Sequence, residues 1–301
     1  MKISLENVNL RSDSGPNSFS KKLLNHLLRN KKIEIVPYEE SDLSFCLIQS
    51  QIEKSRPRIL RLDGIYFNSD QDYFSMNSPI KRTYENSESV VFQTEFNKAL
   101  TERWFGIHSS SYVIRNGTDL SLISEIPVAE NPIFDKFENF WMSASHWRPH
   151  KRLGENIRYF LEMSSEDDAM IIAGNNYEKY YIDHPRVFYA GHLNWAQLIS
   201  IYKRSKYFIH LSYLDHCPNV VVDARACGCH IVCSSSGGTK EIAGTDSTVI
   251  LEDEWDFSPI RLYHPPDMDF SKFKKGEYDS EINIENVAET YFKAFNEVLK
   301  I

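Results

Sequence analysis

Two carboxylates stand at a spacing that suits a polar binding pocket. Residues 213–228 read YLDHCPNVVVDARACG, and within them Asp215 and Asp223 lie eight positions apart. Carboxylate oxygens accept hydrogen bonds from hydroxyl groups, so one aspartate can contact a sugar and the other a ribose. The alternative is a buried strand, in which the Asn-Val-Val-Val run lies between two polar turns. The choice depends on how residue 218 begins the next element.

Pro218 indicates that the valine run is a helix rather than a strand. Proline suits the first helical position, because its missing N–H would be unsatisfied there in any case. The backbone N–H groups of Asn219, Val220 and Val221 would then be free, and helix starts bind phosphate through such groups and the helix dipole. The two aspartates would lie in the preceding loop and one turn into the helix, where both could face one ligand.

Three cations follow a predicted strand in the segment SHWRPHKRL: Arg148, Lys151 and Arg152. The carboxyl ends of strands face the ligand crevice in an open α/β sheet, so these cations can neutralise a diphosphate. Arginine forks onto two phosphate oxygens, whereas lysine acts as a point charge. The alternative is a basic loop that is exposed to solvent.

Glycines at strand ends permit a ligand to approach the backbone closely. Gly174 ends IIAGNN, another glycine ends the strand of VFYAGHL, and Gly237 and Gly238 lie in SSSGGTKE. The paired glycines permit a tight turn beside a phosphate, and Glu241 is expected to begin the next helix. Each glycine alone also fits an ordinary turn, so the order of all these features along the chain is the stronger signal.

The cysteines favour a reduced protein without a metal centre. Four of the five cysteines fall between residues 217 and 233, with His216 and His230 nearby, so a zinc site is the alternative. The sequence contains no CxxC pair, and the four thiols fall on different predicted elements, which disagrees with the spacing of structural zinc ligands. We therefore expect buried thiols in a cytosolic protein, with no metal and no cofactor.

Charge and hydropathy exclude several classes of protein. The 301 residues carry a net charge of −8, which disfavours a nucleic-acid partner. The start of the chain, MKISLENVNLRSDSG, contains no continuous apolar segment, and no stretch approaches the roughly 18 apolar residues of a membrane span. We therefore expect a cytoplasmic location. The basic residues of segment 21–32 could make a peripheral membrane contact, and a solvated helix is the alternative.

Apolar runs alternate with amphipathic segments along most of the chain. Strands are predicted at residues 2–10, 43–49, 57–64, 89–95, 111–117, 140–145, 169–176, 186–193, 206–212, 230–238 and 247–253. Helices are predicted at residues 18–30, 96–106, 152–163, 196–205 and 283–299. Such alternation indicates βαβ units and parallel sheets, so the predicted fold class is α/β.

A proline-containing segment at residues 127–138 separates two such runs and predicts two doubly wound domains. We place an N-terminal domain at residues 1–127 and a ligand-binding C-terminal domain at residues 128–282. The last residues, 283–301, are predicted to form a helix that packs back toward the N-terminal domain.

Taken in order, these segments resemble the nucleotide-binding half of the family-4-like retaining glycosyltransferases with the GT-B fold (glycosyl transferases group 1). The resemblance covers residues from about 140 to 244 through RPHK, IIAG, VFYAGHL, D-HCPNVVV-D, DARACGCHIV and SSGGTKE. SGPNSF (14–19) and VIRNGTDL (113–120) resemble the family's N-terminal glycine loop and a later strand end more loosely. The resemblance implies two Rossmann-like domains that face a cleft, with a shortened N-terminal domain.

The resemblance also implies roles for individual residues. Lys151 and Arg148 would hold the diphosphate of a nucleotide-sugar donor, Asp215 would contact the donor sugar, and Asp223 would contact the ribose. The donor-binding residues that it implies are Gly15, Gly174, His192, Leu193, Pro218, Asn219, Val220, Val221, Asp223, Gly237 and Gly238.

The chain departs from the family pattern in several places. Both acids of the family's E-x7-E element are aspartate here, which is one methylene shorter than glutamate. Arg148 lies closer to Lys151 than the family's arginine lies to its lysine, and His146 occupies one of the expected positions. His230 stands where the family has proline.

Asp63, in ILRLDGIYF, is the candidate for a catalytic side chain on the acceptor side. It follows a predicted strand and precedes a glycine, where related proteins place a polar residue that faces the acceptor. The alternative is a turn aspartate, because Asp-Gly is a common turn pair. The acidic residues at positions 252–254 are expected to form a solvated loop.

The reaction that the resemblance implies is transfer of a sugar from a nucleoside diphosphate sugar to a hydroxyl of a glycan or other acceptor, with retention of configuration. Cationic side chains and the helix start would stabilise the departing diphosphate without a divalent metal, and the leaving phosphate would take the acceptor's proton. Glycan or polysaccharide biosynthesis is the expected role. Two alternatives are a nucleotide-sugar epimerase on the same fold and a catalytically degenerate subunit.

Overall fold

A computed structural model describes residues 1–12, 14–30 and 32–300. Three positions in segments discussed above lie outside the described residues: Asp13 in MKISLENVNLRSDSG, Lys31 in the basic segment 21–32, and Ile301 in the C-terminal segment 283–301. The chain divides into two compact units. Unit 1 comprises Met1–Asp119, Asp256–Ile260 and Glu281–Ile301, and unit 2 comprises Leu120–Trp255 and Arg261–Ser280.

Unit 1 is built on a parallel sheet. Its elements, in chain order, are β1 (Lys2–Glu6), α1 (Gly15–Arg29), β2 (Glu34–Ile35), β3 (Leu43–Leu47), β4 (Arg58–Leu62), α2 (Tyr73–Glu85), β5 (Ser89–Phe92), α3 (Glu95–Phe105) and β6 (Ser111–Val113). The sheet order is β2-β1-β3-β4-β5-β6, and each neighbouring pair is parallel. Strands β3, β4 and β5 are buried along their whole length, as expected of a sheet that is covered on both faces.

The sequence patterns locate most of unit 1 but miss helix α2. Pro79 lies inside this helix, and its segment YFSMNSPIKRTYE lacks a continuous apolar stripe, so periodicity gives a weak signal. The helix begins because the side chain of Asp72 accepts a hydrogen bond from the N–H of Ser75 at 3.1 Å. Burial of Ile80 and Tyr84 then holds the helix on the sheet.

Unit 2 contains a second, larger sheet. Its elements are α4 (Leu120–Glu125), β7 (Asn139–Ala144), α5 (Leu153–Met163), β8 (Asp168–Ala173), β9 (Val187–Gly191), α6 (Trp195–Tyr202), β10 (Tyr207–His210), α7 (Asn219–Ala226), β11 (His230–Ser234), β12 (Thr248–Ile250) and β13 (Phe273–Lys275). The sheet order is β13-β12-β11-β10-β7-β8-β9. All neighbouring pairs are parallel except β12 and β13, and the sequence analysis did not predict the antiparallel edge strand β13.

The last helix, α8 (Ile284–Leu299), belongs to unit 1. Its residues Tyr291 and Phe295 are fully buried and pack with Phe19 and Phe45 in one aromatic cluster. Helix α4 lies before the boundary predicted at residue 127 and groups with unit 2. Among the described residues, every helix is too short or too polar to cross a bilayer.

The strand order of unit 2 reverses between β7 and β10. From β7 the chain continues to β8 and β9 on one side, then returns to β10 on the other side, where Tyr207 lies opposite Trp141. In an open α/β sheet, ligands bind beyond the carboxyl ends of the strands at such a switch point. The loops after β7 and β10 are therefore the places to look for a site.

Candidate active site

The loops after β7 and β10 bring a cation and a carboxylate together. Nζ of Lys151 lies 2.5 Å from Oδ2 of Asp215, and the two side chains are 18% and 14% exposed. The sequence analysis treated these residues as separate contacts, one for the phosphate and one for the sugar. In the structure they form an ion pair that remains accessible from one side.

A short 3-10 turn, Pro149–Lys151, presents Lys151 at the switch point. The next residue, Arg152, has a left-handed backbone with φ of 51°, and helix α5 begins directly after it. The N–H of Tyr213 donates to the carbonyl of His150 at 2.7 Å, which joins the turn to the loop after β10. This hydrogen bond fixes the loop after β7 against the loop after β10.

Gly237 and Gly238, the glycine pair of SSSGGTKE, pack against the backbone of Asp215. The N–H of Gly238 donates to the carbonyl of Asp215 at 2.7 Å. Gly237 has φ of +74°, and a Cβ on it would lie 2.5 Å from the carbonyl oxygen of Asp215, so only glycine fits. The predicted helix at Glu241 is a single 3-10 turn, Thr239–Glu241, instead.

The charges around Asp215 keep its carboxyl ionised. Burial alone would raise the pKa of Asp215, but the ammonium of Lys151 and the ring of His210 outweigh burial and hold that pKa well below its usual range. Burial, together with the charge of Lys151, lowers the pKa of His150 to about 3. The neighbouring ring of His150 is therefore neutral at pH 7, and the lysine is the cation of the site.

His210 is a site residue that the sequence analysis missed. Its Nε2 lies 2.9 Å from Oδ2 of Asp215, and its ring is 1% exposed. The available signal was a histidine at the end of the apolar run KYFIHLS, because strand ends face the site in this fold.

Arg152 does not act as a third phosphate cation, as the diphosphate interpretation of SHWRPHKRL had suggested, and it does not lie in a loop that is exposed to solvent. Its guanidinium is buried, lies 2.7 Å from the carboxylate of Glu252, and donates to the carbonyl of Pro266 at 2.8 Å. The prediction of a solvated acidic loop is therefore wrong for Glu252, whose side chain is 6% exposed. It holds for Asp253 and Glu254, which are exposed.

Arg148 lies at the surface just before the 3-10 turn. Within the described ranges, its guanidinium makes no ion pair. It therefore remains available to an anion near Lys151, and its predicted role at a diphosphate stays a prediction.

Helix α7 confirms that the valine run is helical, with a start that differs in detail. Pro218 is the residue before the helix rather than its first residue, and its carbonyl accepts from the N–H of Val221 at 3.1 Å. The interpretation of a free Val221 N–H is therefore wrong. The predicted roles of Asn219 and Val220 stay predictions, as does a ligand contact by the backbone of Pro218.

Asp223 lies one turn into α7 and contacts a second residue that the sequence analysis missed. The indole N–H of Trp195 donates to Oδ2 of Asp223 at 3.0 Å. Trp195 is the first residue of α6 and directly follows the turn that contains His192 and Leu193. His192 is exposed and Leu193 is partly buried. The helix that follows His192 and Leu193 thus orients one carboxylate oxygen of Asp223, the residue predicted to contact the ribose.

Gly174 follows β8 and is required by close packing rather than by an open approach. Its φ is +114°, and a Cβ there would overlap the carbonyl of Ser145, which follows β7. Its N–H donates to the carbonyl of Gly191 at 2.7 Å. The glycine therefore keeps three strand ends close together, and contact with a donor stays a prediction.

The two candidates of unit 1 lie at the carboxyl ends of its strands. Asp63 follows β4 and pairs with Arg61, and the amide of Gln93 donates to the same oxygen. Burial raises the pKa of Asp63, although Arg61 opposes that rise. Gly15 is the exposed first residue of α1, in the crossover from β1. The acceptor role of Asp63 and the phosphate role of Gly15 stay predictions.

The cysteines lie on separate elements, as predicted. Within the described residues, no disulfide joins any of the five: Cys46, Cys217, Cys227, Cys229 and Cys233. Burial raises the pKa of Cys233 to about 12, and it raises the pKa values of Cys46 and Cys229 further. In the part of the chain that the structure describes, no three metal-ligand side chains converge.

Solved structures share this fold over nearly the whole chain. Sucrose-phosphate synthase from Thermosynechococcus elongatus superposes with a TM-score of 0.74 and 13% identity, covering 100% of this chain and 99% of that one. HepE of Anabaena, in complex with UDP and glucose, gives a TM-score of 0.67 at 13% identity, with coverage of 99% and 100%. WaaG, a glycosyltransferase involved in lipopolysaccharide biosynthesis, gives 0.61 at 9% identity, with coverage of 100% and 91%.

The two Rossmann-like sheets and these superpositions show that the chain has the GT-B fold. Residues 133–256 match the family model described as glycosyl transferases group 1, and this range includes both Lys151 and Asp215. The similarity to this family therefore covers 124 of the 301 residues. No curated protein matches the sequence significantly.

Proposed function

We propose that this protein is a retaining glycosyltransferase that moves a sugar from a nucleoside diphosphate sugar to an acceptor hydroxyl. The observation that carries the proposal is the Lys151–Asp215 pair at the switch point of unit 2. The description of HepE as a complex with UDP and glucose supports a donor of this type. The proposed role of the transfer is in glycan or polysaccharide biosynthesis, so the acceptor is a glycan or another hydroxyl compound of such a pathway.

Lys151 supplies the charge that the reaction needs. As the bond between the sugar and the diphosphate breaks, negative charge develops on the leaving oxygen, and a preoriented cation stabilises that charge more than the ground state. Asp215 orients the ammonium before the donor binds, because the two groups already lie 2.5 Å apart. Arg148, on the same turn and exposed, adds a second cation for the diphosphate.

The remaining groups bind the donor rather than react. The carboxylate of Asp223 accepts hydrogen bonds from the ribose hydroxyls. The indole N–H of Trp195 donates to Oδ2 of that carboxylate and so orients it. The acceptor oxygen bonds to the sugar carbon on the face that the diphosphate leaves, and its proton passes to the leaving phosphate. This sequence needs no divalent metal, so activity should persist in excess chelator.

Nucleotide binding tests the donor part of the proposal. UDP, GDP, ADP, CDP and dTDP are each added to the protein in a thermal-shift panel. A nucleotide at 100 times its Kd adds about 2.7 kcal/mol of stability and raises Tm by several degrees. If none of the five nucleotides stabilises the protein, the result would contradict the proposal and favour a degenerate subunit that binds no donor.

Substitution of Lys151 tests the catalytic part. With a sugar derivative of the nucleotide that the panel identifies as donor, Lys151→Ala should lower kcat by about 100- to 1,000-fold, because it removes one preoriented charge. Lys206→Ala, at the amino end of β10, is the matched control and should leave kcat unchanged. Product analysis must show a glycoside, since interconversion of the free donor would identify an epimerase instead.

A further inference from the structure

His210 ends strand β10 and directs its ring at the charged pair. The ring is almost completely buried, and Nε2 lies 2.9 Å from Oδ2 of Asp215 and 2.9 Å from Oγ of Ser212. The other ring nitrogen, Nδ1, is buried and has no hydrogen-bond partner in the part of the chain that the structure describes. This difference between the two ring nitrogens determines which of them carries the proton in the neutral ring.

The contacts select one tautomer of His210. A proton on Nδ1 would be buried without an acceptor, and Nε2 would then direct a lone pair at the Asp215 carboxylate. A proton on Nε2 avoids both costs, because Nε2–H donates to Oδ2 of Asp215, with Oγ of Ser212 as a second acceptor. Burial lowers the pKa of His210, although Asp215 opposes that shift, so the ring is neutral.

Three groups donate hydrogen bonds to the Asp215 carboxylate, and His210 differs from the other two in its position on the sheet. Oδ1 accepts from the N–H of His216 at 3.0 Å, which fixes the carboxylate only through its own loop. Oδ2 accepts from Lys151, on the loop after β7, and from His210, on the rigid end of β10. His210 is therefore the group that ties the carboxylate to the sheet itself.

We propose that His210 is a positioning residue for this site: its Nε2–H holds the Asp215 carboxylate so that the carboxylate keeps the Lys151 ammonium at the phosphate position. The inference rests on the proposed function and deepens it. Aspartate is one methylene shorter than the glutamate of the family pattern, so it needs an anchor close to the strand end. His210, five residues before Asp215, supplies that anchor.

The first test is independent of activity. In protein labelled with 15N at histidine, long-range 1H–15N NMR at pH 7 should show His210 as the neutral Nε2–H tautomer, with the resonance assigned by its loss in His210→Gln. A neutral Nδ1–H ring or a doubly protonated ring would overturn the proposal. This result does not depend on whether a donor or an acceptor has been found.

The second test uses kinetics with a rescue. His210→Leu, which removes the donor, should lower kcat by about 10- to 100-fold, whereas His210→Gln, which keeps an N–H donor, should stay within about 3-fold of the unsubstituted protein. His230→Leu and His230→Gln are the matched controls, because His230 begins the adjacent strand β11 and bonds Oγ1 of Thr248. Both controls should leave kcat unchanged.

The outcomes separate the two proposals. Equal kcat for the Leu and Gln variants of His210, in protein shown by circular dichroism to be folded, would overturn the positioning role while the transferase stands. If His210→Leu does not fold, the Gln variant decides: a loss of more than about 10-fold despite the retained donor would overturn the proposal. Absence of transfer in the unsubstituted protein would refute the proposed function, and the NMR result would still decide the tautomer.

Discussion

The ammonium of Lys151 lies 2.5 Å from the carboxylate of Asp215, although 64 residues separate them in the sequence. They meet because β7 and β10 are neighbours in the sheet of unit 2, and each residue lies in the loop after its strand. A cation held in place by an adjacent carboxylate is already oriented when a phosphate arrives, so little reorganisation is needed during the reaction.

The turn at Gly237 predicts a selective effect of adding one methyl group. Gly237→Ala should destabilise the fold by about 2 kcal/mol or more and lower transfer activity, because the new Cβ would displace the Asp215 backbone. Urea unfolding and initial rates measure the two effects.

Gly228→Ala is the matched control for that substitution. Gly228 also has a positive φ, +87°, but a Cβ there would meet nothing within 4 Å. It should therefore cost only the conformational penalty, about 1 kcal/mol, and leave the rate unchanged. Equal loss of activity in both variants would show that the contact with Asp215 is not the cause.

The Trp195–Asp223 hydrogen bond predicts an effect on donor affinity. Trp195→Phe should weaken binding of the nucleoside diphosphate by about 10-fold, because the Asp223 carboxylate loses the donor that orients it. Isothermal titration calorimetry measures the change. Trp141→Phe removes the same type of bond, from the indole to Asp168 at 2.9 Å, near the amino ends of strands β7 and β8. An equal loss of affinity in the Trp141 variant would refute the specific role of Trp195.

The buried Arg152–Glu252 pair predicts a large loss of stability when one partner is removed. Glu252→Gln leaves the Arg152 charge buried without its counter-ion and should cost about 3–5 kcal/mol. Substituting both residues with methionine should cost less than the sum of the single substitutions, and urea unfolding measures each variant.

An exposed pair in the same unit provides the comparison. Arg158 and Glu162 lie 3.3 Å apart with side chains that are 40% and 50% exposed, so Glu162→Gln should cost less than about 1 kcal/mol. A cost for Glu252→Gln as small as that for Glu162→Gln would mean that the buried arginine finds another counter-charge.

His150 predicts a loss of stability in weak acid. Burial lowers its pKa in the folded protein from 6.5 to about 3, so between these values the unfolded chain binds a proton that the folded chain does not. Stability is therefore fully present above pH 6.5 and falls as the pH decreases toward 3. This group alone accounts for about 2 kcal/mol between pH 7 and pH 5.

Urea unfolding of the unsubstituted protein and of His150→Gln at pH 7, 6 and 5 checks this prediction. The glutamine variant should lose less stability over that range, because it cannot take up the proton. An identical decrease in both proteins would place the proton uptake on other groups, such as His210, whose pKa burial also lowers.

Local patterns in the sequence predict much of the fold and part of the site. The apolar runs locate β3 and β8 because parallel strands that are buried on both faces are mostly apolar. Pro218 predicts the helical start at the valine run because proline removes one N–H, and that effect is local. Helix α2 and strand β13 were missed because the first has an interrupted stripe and the second is exposed along its length.

Two arginines in one loop have different environments that local sequence patterns do not predict. Arg148 and Arg152 have the same chemistry and lie four residues apart in SHWRPHKRL. The left-handed backbone of Arg152 directs its side chain inward to Glu252, 100 residues later, while Arg148 stays at the surface. No spacing rule separates them, because the partner that decides their roles comes from a distant strand end.

The sequence by itself determined the type of the main elements, the positions of the glycines and the candidate charged residues, because these depend on short-range sterics and hydropathy. The tertiary structure alone decided which charges meet. Strand order places the loops after β7 and β10 side by side, so Lys151, Asp215 and His210 become one group. Burial in that group then sets the proton positions, since ionisation depends on neighbours in space rather than in sequence.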